Sequence, residues 1–202
     1  MSATQGEVKM QRRSFFKLGL MGMSALAVSE SASALKYYPR TSDKKWAVLY
    51  ASWCGSTRDA ALWISEGMGG IADVFDVREK PDLRRFDHLI VGSAIRERKI
   101  SPELLQYLDK CKSQLAPKVR GLFSVCGNMQ RPVTPELVDS LIVRQLAPAC
   151  GVEGVPAHVF LGRVTKILME PGVRELMKNF PDYDNLKRPE CMAFGNEILG
   201  RA

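Results

Sequence analysis

The chain has 202 residues, 46% of them hydrophobic, with no low-complexity tract and no internal repeat, which suits one globular domain with ample core plus a tail and excludes a repeat architecture. Lys and Arg outnumber Asp and Glu by 29 to 22, a net +7, which points to acidic proteins or a lipid surface as partners. The basic residues are not interleaved with aromatic ones, which argues against nucleic acid.

The chain opens on a segment outside the fold. In QRRSFFK, Arg12 and Arg13 precede Phe15, Phe16 and Lys17; the apolar stretch Leu18 to Val28 follows, then Ser29, Glu30 and the small-x-small site Ala32-Ser33-Ala34. That stretch is shorter than the roughly 20 apolar residues needed to span a bilayer. The layout is that of an export signal, and QRRSFFK resembles the twin-arginine signal; the plainer reading is an ordinary basic n-region. The resemblance implies passage through the twin-arginine translocase to the periplasm or the outer face of the cytoplasmic membrane. Cargo of that route often carries a cofactor inserted beforehand. Cleavage after Ala34 leaves a mature chain beginning at Leu35, whereas an uncleaved segment tethers the domain to the membrane. The expected organisation is a signal over 1–34, a linker over 35–45 and a domain over 46–202. Residues 1–34 carry Lys9, Arg12, Arg13 and Lys17 against Glu7 and Glu30, a net +2 that leaves +5 of the +7 on the remainder.

From Trp46 the pattern alternates. WAVLYAS is a short apolar run of the kind that forms a buried parallel strand. TRDAALWISEGM places Ala61, Leu62, Ile64 and Met68 at helical spacing and ends on Gly69-Gly70. IADVFDV alternates like a strand, REKPDLRR is a polar loop, and FDHLIVGSA is a second strongly apolar strand. SPELLQYLDKCKSQL opens with Ser101 as N-cap and Pro102 at the first helical position, with an apolar stripe of Leu104, Leu105, Leu108, Cys111 and Leu115. VRGLFSV is a strand, CGNMQRPV a loop, TPELVDSLIVRQLAP a helix capped by Thr134, VPAHVFLG the fifth strand, and NLKRPECMAFGNEILG a closing helix. Strands separated by helices of about 10–15 residues give βαβ units. The expected fold is α/β: a three-layer, doubly wound, five-stranded parallel sheet. Ligands bind such sheets at the carboxyl ends of the strands, where strand order reverses, so the loops of interest are Ser52–Thr57, Ser93–Lys99 and Cys126–Pro132.

The cysteines are Cys54, Cys111, Cys126, Cys150 and Cys191, with no C-x-x-C and only His88 and His158 as further ligands, so no zinc site is expected. Their spacing gives no disulfide framework; they read as small buried residues, at least one a free thiol. Asp73, Asp76, Glu79 and Asp87 read as solvated charges and His88 as structural.

In SWCGSTR, Gly55 permits close backbone approach, Ser52, Ser56 and Thr57 supply hydroxyls, and the following helix presents free N–H groups, together an anion site. Neither the Walker ending nor G-x-G-x-x-G is present, so a single terminal monophosphate fits better than a dinucleotide. The competing reading is Cys54 as a reactive thiol at a helix N-terminus, although no resolving cysteine stands near it in sequence.

SWCGST resembles the T/S-x-T-G-x-T phosphate loop of flavodoxins, with Cys54 where a hydroxyl residue is common. The resemblance extends in element order from Trp46 to Leu199. It is nearest to the flavodoxin-like family containing the menaquinone-dependent protoporphyrinogen oxidases. GSTRDAA is similar to that family's G-x-T-R-x-x-A, FDHLIVGSAIR to its third strand and following loop, and GLFSVCGNMQRPVTPE to its fourth strand, loop and Thr-Pro helix start. The resemblance implies FMN as cofactor, its phosphate held by Ser52, Cys54, Gly55, Ser56 and Thr57. It places Ser93, Ala94, Ile95 and Arg96, and Ser124, Val125, Cys126, Gly127 and Asn128, beside the isoalloxazine ring. Arg96 there would favour an anionic reduced flavin, or is a surface arginine. Typical flavodoxins are acidic, whereas the mature part of this chain is basic, and the chain departs from the family in two further places. SAIRERK lacks the usual aromatic clamp, leaving Trp53 to shield one side or to pack on the sheet. After the fifth strand, LGRVTKILMEPGVRELMKNFPDYDNL is amphipathic but poor in aromatics; its stripe reads as core packing on the sheet, with a membrane surface as the alternative.

The expected function is an exported FMN flavoprotein that moves electrons to or from a redox protein or quinone, as a carrier or as a quinone-linked dehydrogenase similar to protoporphyrinogen oxidase. The alternatives are a flavodoxin fold that has lost its flavin and binds a partner, and a thiol-redox protein using Cys54.

Overall fold

The computed structural model describes residues 42–127 and 132–201. The expected signal, the first part of the linker and Asn128 lie outside them.

The strands, in chain order, are β1 (Trp46–Ala51), β2 (Ala72–Asp76), β3 (His88–Arg96), β4 (Lys99–Ile100), β5 (Val119–Cys126) and β6 (Ala157–Leu161). Five of them pair in parallel in the order β2-β1-β3-β5-β6, and β4 turns back antiparallel on the end of β3. This is the expected doubly wound α/β sheet, with strand order reversing between β1 and β3.

Both faces of the sheet are covered, so β1 is buried at every position and its sequence is continuously apolar rather than alternating. One face packs Trp46, Val48, Phe123 and Phe160 against α1 (Ser56–Gly67) and the closing helix. The other packs Ala47, Leu49, Leu89 and Val91 against α2 (Pro102–Leu115) and the helical segment that follows β5. Gly92 leaves room for Phe123 on the neighbouring strand, whose ring carbons lie 2.0–2.5 Å from where a Cβ would stand.

Several local expectations are corrected. The helix expected from Thr134 is α3 (Pro135–Val138), then a π-helix (Asp139–Leu146), then α4 (Ala147–Cys150). Pro148 follows the widened turns; it has no N–H to give the Arg144 carbonyl, as an α-turn would require. Neither Ser101 nor Thr134 caps its helix through its side chain; Ser101 Oγ bonds the Glu103 carboxylate instead. The loop REKPDLRR contains 3₁₀ turns at Val77–Glu79 and Leu83–Arg85, whose N–H groups are capped by Asp76 and Asp82. Asp76 is therefore a buried structural carboxylate and not a solvated charge. None of the five cysteines forms a disulfide.

Beyond β6 the chain runs through β7 (Arg163–Val164), a 3₁₀ turn (Lys166–Leu168), α5 (Pro171–Leu176) and β8 (Tyr183–Asp184), which pairs antiparallel with β7. The closing helix is α6 (Arg188–Arg201). No helix among the described residues is long and apolar enough to cross a membrane.

Candidate functional site

The first loop leaves β1 and enters α1. Gly55 sits at the N-cap with φ +88°, a left-handed conformation that favours glycine. Its N–H donates to Ser52 Oγ at 3.1 Å. No side chain caps α1, so its first N–H groups point out of the helix with no intrahelical partner. Ser56 and Thr57 are buried at the base of this turn, and Trp53 is 37% exposed at its rim. Cys54 Sγ lies 3.5 Å from Ser56 Oγ, and its thiol donates to the Arg163 carbonyl at 4.0 Å.

The second loop separates into two parts. Ala94, Ile95 and Arg96 face the cleft beside the first loop. Ser93 does not: it is fully buried, its hydroxyl donating to the Ala94 carbonyl and accepting the Ser101 N–H, both at 2.9 Å. It joins β3 to the start of α2. Arg96 lies over the Trp53 ring, 5.1 Å from its centroid, with Nη1 3.9 Å from Glu170 Oε2. Glu97 and Arg98 turn the β3–β4 hairpin with φ of 52° and 62°, the left-handed pair of a tight two-residue turn.

The third loop divides in the same way. Val125 and Gly127 line the cleft, while Ser124 and Cys126 are buried within β5. Ser124 pairs in register with Ser93, and its hydroxyl makes no hydrogen bond to a described residue.

A fourth wall comes from the 162–186 segment, which sequence reasoning did not assign to the site. Its base is fixed: Gly162 N–H donates to the Cys126 carbonyl at 2.9 Å, Asn185 N–H to the Gly162 carbonyl at 3.1 Å, and the Tyr183 hydroxyl to the Gly127 carbonyl. A Cβ on Gly162 would stand 3.0 Å from Gly127 Cα, so two backbones meet there directly. Burial raises the pKa of the Tyr183 hydroxyl, with Cys126 adding to the shift, which keeps it a donor. Leu168, Met169, Val173, Leu176 and Met177 then lean over the cleft. The stripe expected to pack on the sheet is instead a lid: α5 has no buried residue, and Ile167, Leu176 and Phe180 are 75%, 80% and 57% exposed.

The four walls enclose about 350 Å³, within the usual ~300–1,000 Å³ for a small-molecule site. A hollow of about 460 Å³ between residues 77–84 and α2 shares no lining residue with this cleft and has no glycine-turned helix start. The cleft stands at the carboxyl ends of β1, β3 and β5, at the reversal of strand order.

The sequence model of the flavodoxin domain matches residues 47–177. The chain belongs to the flavodoxin-domain family. Its structure is similar to oxidised flavodoxin 1 from Bacillus cereus, at 16% identity and a TM-score of 0.50, over 78% of this chain and 98% of that one. It is also similar to the flavodiiron core of Flv1 from Synechocystis, at 16% identity and a TM-score of 0.50, over 77% of this chain and 35% of that one. No curated protein sequence matches. At such identities the likeness speaks to the fold. Within that flavodoxin domain, the first loop is the turn that opens α1, and the lid is inserted between β6 and α6.

Proposed function

We propose that this flavodoxin domain binds FMN in the cleft and transfers electrons after export, as a carrier or as a quinone-linked dehydrogenase. The observation that carries the proposal is the uncapped start of α1, which opens into a cleft walled by apolar side chains. The residues fit the group. A Cβ on Gly55 would meet only Arg58 Nη2, at 3.8 Å, so the cradle is open. Ser56 and Thr57 bring hydroxyls to the same turn, whose dipole favours an anion. When bound, FMN supplies one- and two-electron redox chemistry. The protein's own residues hold and shield it. Ser52 fixes the turn through Gly55; Trp53 and the lid's Met169, Val173 and Met177 exclude water from the ring side; Arg96 places positive charge at the rim.

The exposed apolar side chains of the lid support a hydrophobic partner, a quinone or a membrane surface, beside a redox protein. The twin-arginine resemblance of residues 11–17 supports export to the periplasm or the outer face of the cytoplasmic membrane, and the family resemblance supports a quinone acceptor. Protoporphyrinogen turnover with a quinone is a separate branch, assayed directly.

The test is purification from a host with a working twin-arginine translocase. Flavin absorption, with sub-micromolar FMN affinity after stripping, is the expected result. Protein that is colourless and stays colourless with added FMN refutes the proposal and leaves a partner-binding module. Retention in the cytoplasm of a translocase-deficient host tests the export branch.

A further inference from the structure

Asp59 stands in the first turn of α1, where its N–H donates to the Gly55 carbonyl at 3.0 Å. A carboxylate there is the wrong charge for a loop that is to receive a phosphate dianion, because the two compete for the same helix end. Both of its oxygens are occupied. Oδ1 accepts from Arg58 Nε and Nη2, each at 3.1 Å, and Oδ2 is 2.7 Å from Arg163 Nη2. The two arginines differ in kind. Arg58 is 58% exposed, so its pairing is screened and weak. Arg163 and Asp59 are only 19% and 18% exposed, so their attraction is screened far less.

Arg163 is also held on its other sides. Its Nε is buried without a hydrogen bond to a described residue, with Asp184 Oδ2 3.4 Å away. Its carbonyl takes the Cys54 thiol and would stand 3.0 Å from a Cβ on Gly127. One residue of β7 thus touches the first loop, the third loop and the lid's second strand.

We infer that Arg163 is a positioning residue for the phosphate: by neutralising Asp59 it makes the first loop able to accept a dianion, and it leaves Arg58 free to turn to that anion. This rests on the FMN reading, and the experiment separates the two. Dissociation constants for FMN and for riboflavin, which lacks the phosphate, are measured on the wild type, Arg163→Met, Asp59→Asn and the double variant. Any change on the ring side affects both ligands, whereas the inferred role affects FMN alone.

Arg163→Met is expected to weaken FMN by about tenfold or more and riboflavin by less than about threefold. The double variant, with neither charge, is expected to return FMN to within about threefold of wild type. Asp59→Asn alone is expected to bind FMN at least as well as wild type. Equal weakening of both ligands in Arg163→Met overturns the inference, as does a double variant no better than Arg163→Met. If Arg163→Met fails to fold by circular dichroism, Asp59→Asn decides: FMN weakened relative to riboflavin overturns the inference, and FMN held or tightened supports it. A wild type that binds no flavin overturns the FMN reading and this inference together; a wild type that binds FMN while the cycle fails overturns this inference alone.

Discussion

Helix α1, which the first loop enters, is set against α6 through two glycines, and filling either one should loosen the domain. A Cβ on Gly195 would stand 2.2 Å from the Ile64 carbonyl oxygen, and one on Gly67 2.2 Å from the Met192 carbonyl oxygen. A carbon needs about 3.3 Å from a carbonyl oxygen, so the helices must part by about 1 Å to admit Gly195→Ala. The obstacle is backbone and cannot rotate aside. Overpacking of this kind costs about 1–3 kcal/mol. The better helix propensity of alanine returns about 1 kcal/mol. The net expectation is a loss of up to about 2 kcal/mol, or a fall in melting temperature of up to about 8 °C for a domain of this size. Thermal unfolding of flavin-free protein, followed by circular dichroism, measures it. Gly67→Ala should behave alike, and the double variant should lose less than the sum, because one separation accommodates both methyls. A Gly195→Ala melting temperature equal to or above wild type refutes the reasoning, since propensity would then have outweighed contact.

Four further outcomes are expected. Trp53→Ala removes the aromatic wall of the cleft, so bound FMN should fluoresce more strongly and dissociate about tenfold more readily, in line with the loss of one ring contact; unchanged fluorescence would place Trp53 away from the ring. Burial raises the Asp76 pKa, but the Arg78 hydrogen bonds and charge outweigh this and hold it below 3.8. Its contribution to stability is therefore present above that value and lost as pH falls through the lower folded one, so Asp76→Asn should be less stable than wild type at pH 7 by urea midpoint, with the difference shrinking as pH falls below 3.8. Burial pushes the Cys150 and Cys191 thiols up to about 12, so iodoacetamide should label them only on unfolding, while Cys54 in the cleft wall labels in the native state and is protected by FMN. In the lid, hydrogen exchange over 166–178 should be fast without flavin and slow with it, because α5 contributes no buried residue; equal exchange in both states would show that the lid does not cover the ligand.

Much of the fold is legible because its determinants are local. The apolar runs of β1, β3 and β5 announce strands covered on both faces, and the glycine-turned start of α1 lies within six residues of sequence. Two kinds of information are not local. One is where strand pairing gives way to cleft wall: in β5 side chains alternate between core and cleft, whereas at the end of β3 Ala94, Ile95 and Arg96 all line the cleft and only Ser93 turns into the core. Strand geometry continues to Arg96 and Cys126, so Ser93 and Ser124 point into the core rather than standing in open loops. Asp76 is masked in the same way: its neighbour Arg78 folds back onto it through a 3₁₀ turn that a polar loop sequence does not reveal.

The lid shows the limit of periodicity. Val173, Leu176 and Met177 recur at a spacing that serves equally for a helix packed on a sheet and for one leaning over a cleft, and the pattern names no target surface. What separates the cases is how the segment is tied down. Gly162 and Asn185 are hydrogen-bonded at its base and Arg163 is paired with Asp59, whereas Lys166 and Arg174 bond only carbonyls or carboxylates of the lid itself. The segment is therefore mostly self-bonded, tied to the domain by hydrogen bonds at its base and met further along by Arg96, whose Nη1 is 3.9 Å from Glu170 Oε2. A helix held in that way keeps its apolar side chains available to whatever enters beneath it. That is why the missing aromatic pair in SAIRERK does not leave the cleft open: the shielding comes from some seventy residues further along, as two methionines and branched aliphatics opposite Trp53.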